Sequence, residues 1–127
     1  MALILVVDDH EWVRQPVQAI LEGEGHDVVA KSDGPSALEY VEGTLGSSQE
    51  PDLVIADHSM PGMYGYEWVG WARKSGFKNP VILLSGKEAT DEFRTKYSEV
   101  RVTRILLKPP TQESLIAAVQ AELEGSI

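Results

Sequence analysis

The chain has 127 residues, enough for one core of ordinary size, and a single domain over residues 1–127 is expected. Twenty acidic residues against eleven basic ones give a formal charge of −9, which disfavours direct binding to nucleic acid or an anionic membrane. Cysteine is absent, so there is neither a disulfide framework nor a thiolate metal site.

The opening run Leu3-Ile4-Leu5-Val6-Val7 is short and branched, as in a strand buried on both faces, and it ends at Asp8-Asp9. No basic segment precedes it, so it is read as a strand and not a signal peptide. No apolar run is long enough to span a bilayer, and a cytoplasmic location without membrane insertion is expected. Helical periodicity follows near 12–22. Pro16 lies inside it, so either the helix starts one or two residues after Glu11 or it is kinked. Gly23-Glu24-Gly25 closes that helix. A weaker strand near 27–30 leads to a helix near 34–43, and Gly43 through Pro51 is a polar loop.

The next apolar run, Leu53-Val54-Ile55-Ala56, ends at Asp57. A helix near 64–74 carries Trp68 and Trp71, three apart and expected to pack. Lys78-Asn79-Pro80 turns into Val81-Ile82-Leu83-Leu84, which ends at Ser85 and Gly86. After a helix near 89–97, a weak last strand near 102–107 delivers Lys108 ahead of Pro109-Pro110. The final helix spans 111–123. Thr111 is an imperfect start signal for it, since Glu113 stands one residue early for a capping box.

Strand and helix in strict alternation predict an α/β fold of (βα)5 type: a doubly wound, five-stranded parallel sheet of flavodoxin-like order 2-1-3-4-5. That order sets Asp8 and Asp9 beside Asp57 at the carboxyl edge, where open sheets of this kind bind ligands. Three neighbouring carboxylates repel unless a cation intervenes, and magnesium suits an oxygen set that leaves room for water and phosphate. Lys108 adds a compact positive charge and Ser85 a hydroxyl. Taken singly each is ordinary: a helix cap, a turn, a solvated lysine, a serine bonding its own backbone. Their joint placement points to function. His10, His26 and His58 show no metal-ligand spacing, and no glycine-rich phosphate loop follows the first strand.

The ordered set Asp8-Asp9, Asp57 with Pro61-Gly62 beyond it, Ser85 and Lys108-Pro109 resembles the receiver domain of two-component response regulators, including the chemotaxis type. The resemblance implies that Asp57 accepts a phosphoryl group from a histidine kinase or histidine phosphotransfer protein. It implies that Asp9 and Asp57 ligate Mg2+, with Asp8 assisting and the carbonyl of Ser59 completing the set. Ser85 would bond the phosphoryl oxygen and Lys108 would pair with it, the peptide bond after the lysine being commonly cis. Such a domain catalyses only its own phosphorylation and dephosphorylation, and switches conformation to dock a downstream protein. Two departures stand out. Ile105 occupies the position, three before the lysine, where the family usually has Tyr or Phe, and Arg101-Val102 replaces a common Gly-Ala pair. A metal-dependent phosphohydrolase on a similar sheet is the alternative, but it would want a second acid where Ser59 stands. A receiver fold that binds a partner without phosphorylation is the other, and the intact residue set argues against it.

Overall fold

A computed structural model describes residues 2–87 and 89–125. Strand β1 (Leu3–Val7) is followed by α1 (Glu11–Gly23), β2 (Asp27–Lys31), α2 (Gly34–Thr44) and β3 (Leu53–Asp57). Two short strands, β4 (Ser59–Met60) and β5 (Met63–Tyr64), precede α3 (Gly65–Ser75). Then come β6 (Val81–Ser85), α4 (Asp91–Glu99), β7 (Arg104–Leu107) and α5 (Gln112–Gly125). The main sheet is parallel and five-stranded, in the order β2-β1-β3-β6-β7. Counting only its own strands, this is the expected order 2-1-3-4-5.

The period of two along each central strand divides the core between the sheet's faces. Leu5, Val7, Val54, Ala56, Val81 and Leu83 face α2, α3 and α4, around Trp68, Phe77 and Tyr97. Ile4, Val6, Leu53, Ile55, Ile82 and Leu84 face α1 and α5, through Val13, Val17, Leu21 and Leu115. Burial on both faces is why β1, β3 and β6 read as continuous apolar runs. The weaker runs, β2 and β7, are the edge strands, and both are only partly buried.

Three local features were not decided by the sequence. The helix at Pro16 does not start late: α1 begins at Glu11 and the proline sits inside it, on the exposed side. Its missing amide removes the donor to the Trp12 carbonyl, a loss that solvent can offset there. Residues 59–64 form an element that the apolar pattern did not mark. They pair as a two-stranded antiparallel hairpin, turned at Gly62 with φ of 81°. Trp68 is buried as expected, but Trp71 is exposed, with Lys74 over its ring. Thr111 does serve as a cap, its hydroxyl accepting from the amide of Ser114.

Arg101 adopts φ of 61°, a left-handed conformation at the position where the resemblance has glycine. Its carbonyl is held by Arg73, whose guanidinium also donates to the carbonyls of Val100, Phe77 and Asn79. Burial, aided by nearby Arg101, brings the Arg73 pKa down to about 10, so it remains charged at neutral pH. Arg73 therefore pins the turn after α4 and the turn before β6 to the end of α3. Arg73→Met keeps the apolar stem and removes every donor. It is expected to cost about 1–2 kcal/mol in urea unfolding, since several carbonyls lose a charged partner. An unchanged midpoint would show that solvent replaces the guanidinium without loss.

Candidate functional site

The sheet ladder carries on past the strand ends and gathers the polar residues. The amide of Asp8 donates to the Lys31 carbonyl at 3.1 Å, that of His58 to Leu84 at 3.0 Å, and that of Lys108 to Ser85 at 2.8 Å. Consequently Asp8 and Asp9 after β1, Asp57 at the end of β3, Ser85 at the end of β6 and Lys108 after β7 meet at one edge. The ammonium of Lys108 is 2.9 Å from Asp57 Oδ2, 3.1 Å from Asp8 Oδ1 and 2.8 Å from His10 Nδ1. The peptide bond between Lys108 and Pro109 is cis.

Asp9, His10, Asp57 and Lys108 of this set border an open cavity of about 620 Å³. It is lined by Asp9, His10, Trp12, Asp57, Ser59, Met60, Pro61, Gly86 and Lys108. Asp8 and Asp57 are buried, whereas Asp9 is only partly covered and His10 is exposed. Burial raises the Asp57 pKa above its usual value. The Lys108 hydrogen bond opposes this, the Asp8 carboxylate adds to it, and the Ser59 amide again opposes it. Burial alone would depress Lys108, but its hydrogen bonds to Asp57 and Asp8 prevail and its pKa is raised. A charged lysine thus holds two crowded carboxylates together.

Asp8, Asp9, His10 and Asp57 each bring a ligand-type atom within 4.8 Å of the others. Asp8 Oδ2 and Asp9 Oδ1 are buried atoms with no hydrogen-bond partner. Orphaned oxygens of this kind are what a hard dication would satisfy, so the oxygen set fits magnesium. Ser59 is exposed and lies at the cavity wall.

Ser85 reaches the edge but does not bond Asp57. Its hydroxyl donates to the Lys87 carbonyl at 2.9 Å and accepts from the Lys87 amide at 3.3 Å, the self-contained loop arrangement.

Two groups escaped the sequence reading. His10 was set aside for lack of ligand spacing, yet its ring nitrogen joins the acidic cluster, because adjacency to Asp8-Asp9 was itself the relevant spacing. The second group is aromatic. Ile105 packs against the core half that contains Tyr97 of α4. Tyr97 is fully buried, and its hydroxyl accepts from the amide of Tyr66 at 3.1 Å. It also shares a hydrogen bond with His58 Nδ1, 2.6 Å away. Burial and then Lys96 lower the His58 pKa, which favours the neutral ring. His58 directly follows Asp57, so Tyr97 ties α4 to the acceptor strand. A tyrosine in a helix of charged residues carries no local mark of this role.

The chain matches the model of the response regulator receiver domain over residues 4–120. It belongs to that family. The receiver domain is 31% identical to Protein PilH of Pseudomonas aeruginosa, with 98% of this chain and 100% of that protein aligned. It is 33% identical, over 97% of its length, to the alkaline phosphatase synthesis transcriptional regulatory protein SphR of Synechococcus elongatus, and spans 49% of that protein. It likewise spans only about half, 53%, of the Bacillus subtilis relative PhoP. Among solved structures it superposes on the chemotaxis protein CheY4 of Vibrio cholerae with a TM-score of 0.85 at 31% identity, covering 96% of this chain and 98% of that one. Receiver domains in general bind magnesium at an acidic pocket and work with kinases and downstream effectors, not as turnover enzymes.

Proposed function

We propose that this receiver domain accepts a phosphoryl group on Asp57 from a histidine kinase or a histidine phosphotransfer protein. The convergence of Asp8, Asp9, Asp57 and Lys108 at one sheet edge carries the reading. Asp57 borders an open cavity, where a carboxylate oxygen can approach phosphorus in line with the leaving imidazole. The new bond is O–P and the broken one P–N, and the electron pair leaves with the imidazole, which takes up a proton. Lys108, already within reach of Asp57, neutralises charge on the phosphoryl oxygens as they arrive. Asp8, Asp9, Asp57 and the carbonyl of Ser59 would hold Mg2+, which supplies further charge neutralisation on those oxygens.

Ser85 must give up its bonds with Lys87 to reach the phosphoryl group, a charged acceptor that makes a stronger hydrogen bond than a neutral one. That exchange frees the loop leading into α4, and Tyr97 links the same helix to His58. Output then runs through α4 to a downstream protein, with self-dephosphorylation as the reset. We place the unit as one domain over 1–127, acting in the cytoplasm. Among the described residues, no helix is long and apolar enough to cross a membrane.

Magnesium titration followed by Trp12 fluorescence tests the cation part of this reading. Trp12 lines the cavity and its ring is exposed, so occupancy should change its emission. A saturating response in the wild-type chain, lost in Asp9→Ala, is the expected result. A titration curve that Asp9→Ala leaves intact would place the cation elsewhere.

A further inference from the structure

His10 stands out because its Nδ1 faces Asp9 Oδ1 at 3.2 Å and Asp8 Oδ1 at 3.4 Å. The nitrogen is also 2.8 Å from the Lys108 ammonium, a group that only donates, so Nδ1 carries no proton and presents a lone pair. Three electron-rich atoms facing one another call for a cation among them. Lys108 meets part of that demand, but Asp8 Oδ2, on a fully buried residue, and Asp9 Oδ1 still lack hydrogen-bond partners. The observed separations also suit coordination. Neighbouring ligands at about 2.1 Å from an ion lie about 3.0 Å apart in an octahedron and about 3.4 Å apart in a tetrahedron.

We propose that His10 Nδ1 is a nitrogen ligand of this site, which therefore takes a first-row transition dication of the imidazole-binding class more tightly than magnesium. The inference rests on the reading of Asp8, Asp9 and Asp57 as a cation site, and adds the ligand that sets the metal class. Imidazole suits cobalt, nickel, copper and zinc, whereas magnesium prefers oxygen and releases its water reluctantly. His10 exchanges its contact with Lys108 for the metal, and the lysine keeps Asp57 and Asp8.

Co2+ and Mg2+ affinities are to be measured by Trp12 fluorescence, together with the visible d–d spectrum of bound Co2+. The His10 ring lies 5.9 Å from that of Trp12, close enough to report directly. His10→Phe keeps a ring beside Trp12, and the His10 side chain makes no cap bond to α1 that the variant would lose. The wild-type chain is expected to bind Co2+ at least about tenfold more tightly than Mg2+, and His10→Phe to remove about that factor for Co2+ while leaving Mg2+ within about twofold. The d–d spectrum should shift on losing the nitrogen ligand. An unchanged Co2+ to Mg2+ ratio and spectrum in His10→Phe would overturn the proposal, with magnesium binding untouched. His10-dependent Co2+ binding without any Mg2+ binding would uphold it and overturn the magnesium assignment instead.

Discussion

Asp57→Asn should abolish phosphoryl uptake altogether. Incubated with acetyl phosphate and magnesium, the wild-type chain is expected to form one acid-stable, base-labile adduct, and the variant none. Asp8 is fully buried and Asp9 faces His10, so neither carboxylate is expected to replace the acceptor. Equal adduct yield in Asp57→Asn would mean another residue accepts the group. The same substitution should stabilise the cation-free fold at neutral pH. Burial raises the Asp57 pKa above 3.8, the value expected when unfolded, so the folded chain binds that proton more tightly. The stability tied to the proton is present below the unfolded pKa and is lost as pH rises through the folded one. At pH 7 ionised Asp57 is thus a cost that asparagine removes, and the melting temperature should rise. The gain should shrink as pH falls towards the unfolded value. A lower melting temperature for the variant at pH 7 would show that the Lys108 ion pair outweighs burial.

Gly65→Ala is the substitution expected to damage both stability and the site. Gly65 opens α3, and its amide donates to the His58 carbonyl at 2.7 Å. A methyl group there would lie 2.7 Å from the Tyr97 hydroxyl, 2.8 Å from the Asp57 carbonyl oxygen and 3.2 Å from Leu83 Cδ1. Tyr97 has nowhere to retreat, being fully buried and tied to His58 and Tyr66, and the Asp57 carbonyl is backbone. Overpacking of this kind costs about 1–3 kcal/mol. Any relief moves the acceptor's own peptide, so phosphorylation should slow along with the loss in urea midpoint. Gly70→Ala is the control. It lies within the same helix, and its methyl group would meet only Val100 Cγ1, at an ordinary 3.5 Å. It should be neutral or stabilising by about 0.5–1 kcal/mol. Equal behaviour of the two variants would show that the contact around Gly65 is slack.

Much of this architecture was legible without coordinates. Strands β1, β3 and β6 are buried on both faces, so their residues ahead of the carboxyl end are apolar, and the run is visible in any window. Each run stops at the polar residue that the site uses. Strand alternation with helices then places Asp8, Asp9, Asp57, Ser85 and Lys108 on one edge, because parallel strands all end there. What periodicity could not supply is the identity of contacts that cross between elements. The hairpin at Ser59–Tyr64 is too short to show a pattern. Pro16 left the start of α1 undecided, and packing through Val13, Val17 and Leu21 holds the helix from Glu11 onward. The inward turn of Tyr97 towards His58 depends on the room left by Gly65, thirty-odd residues earlier, and no local window contains both. Likewise Ser85 was placed at the edge by its strand, but only the surrounding loop decided that its hydroxyl turns back on Lys87. Local sequence encodes burial and chain direction, which set where the edge residues fall. Side-chain partners are chosen by volume and hydrogen-bond demand among segments far apart in the chain, and these are settled only when the core closes.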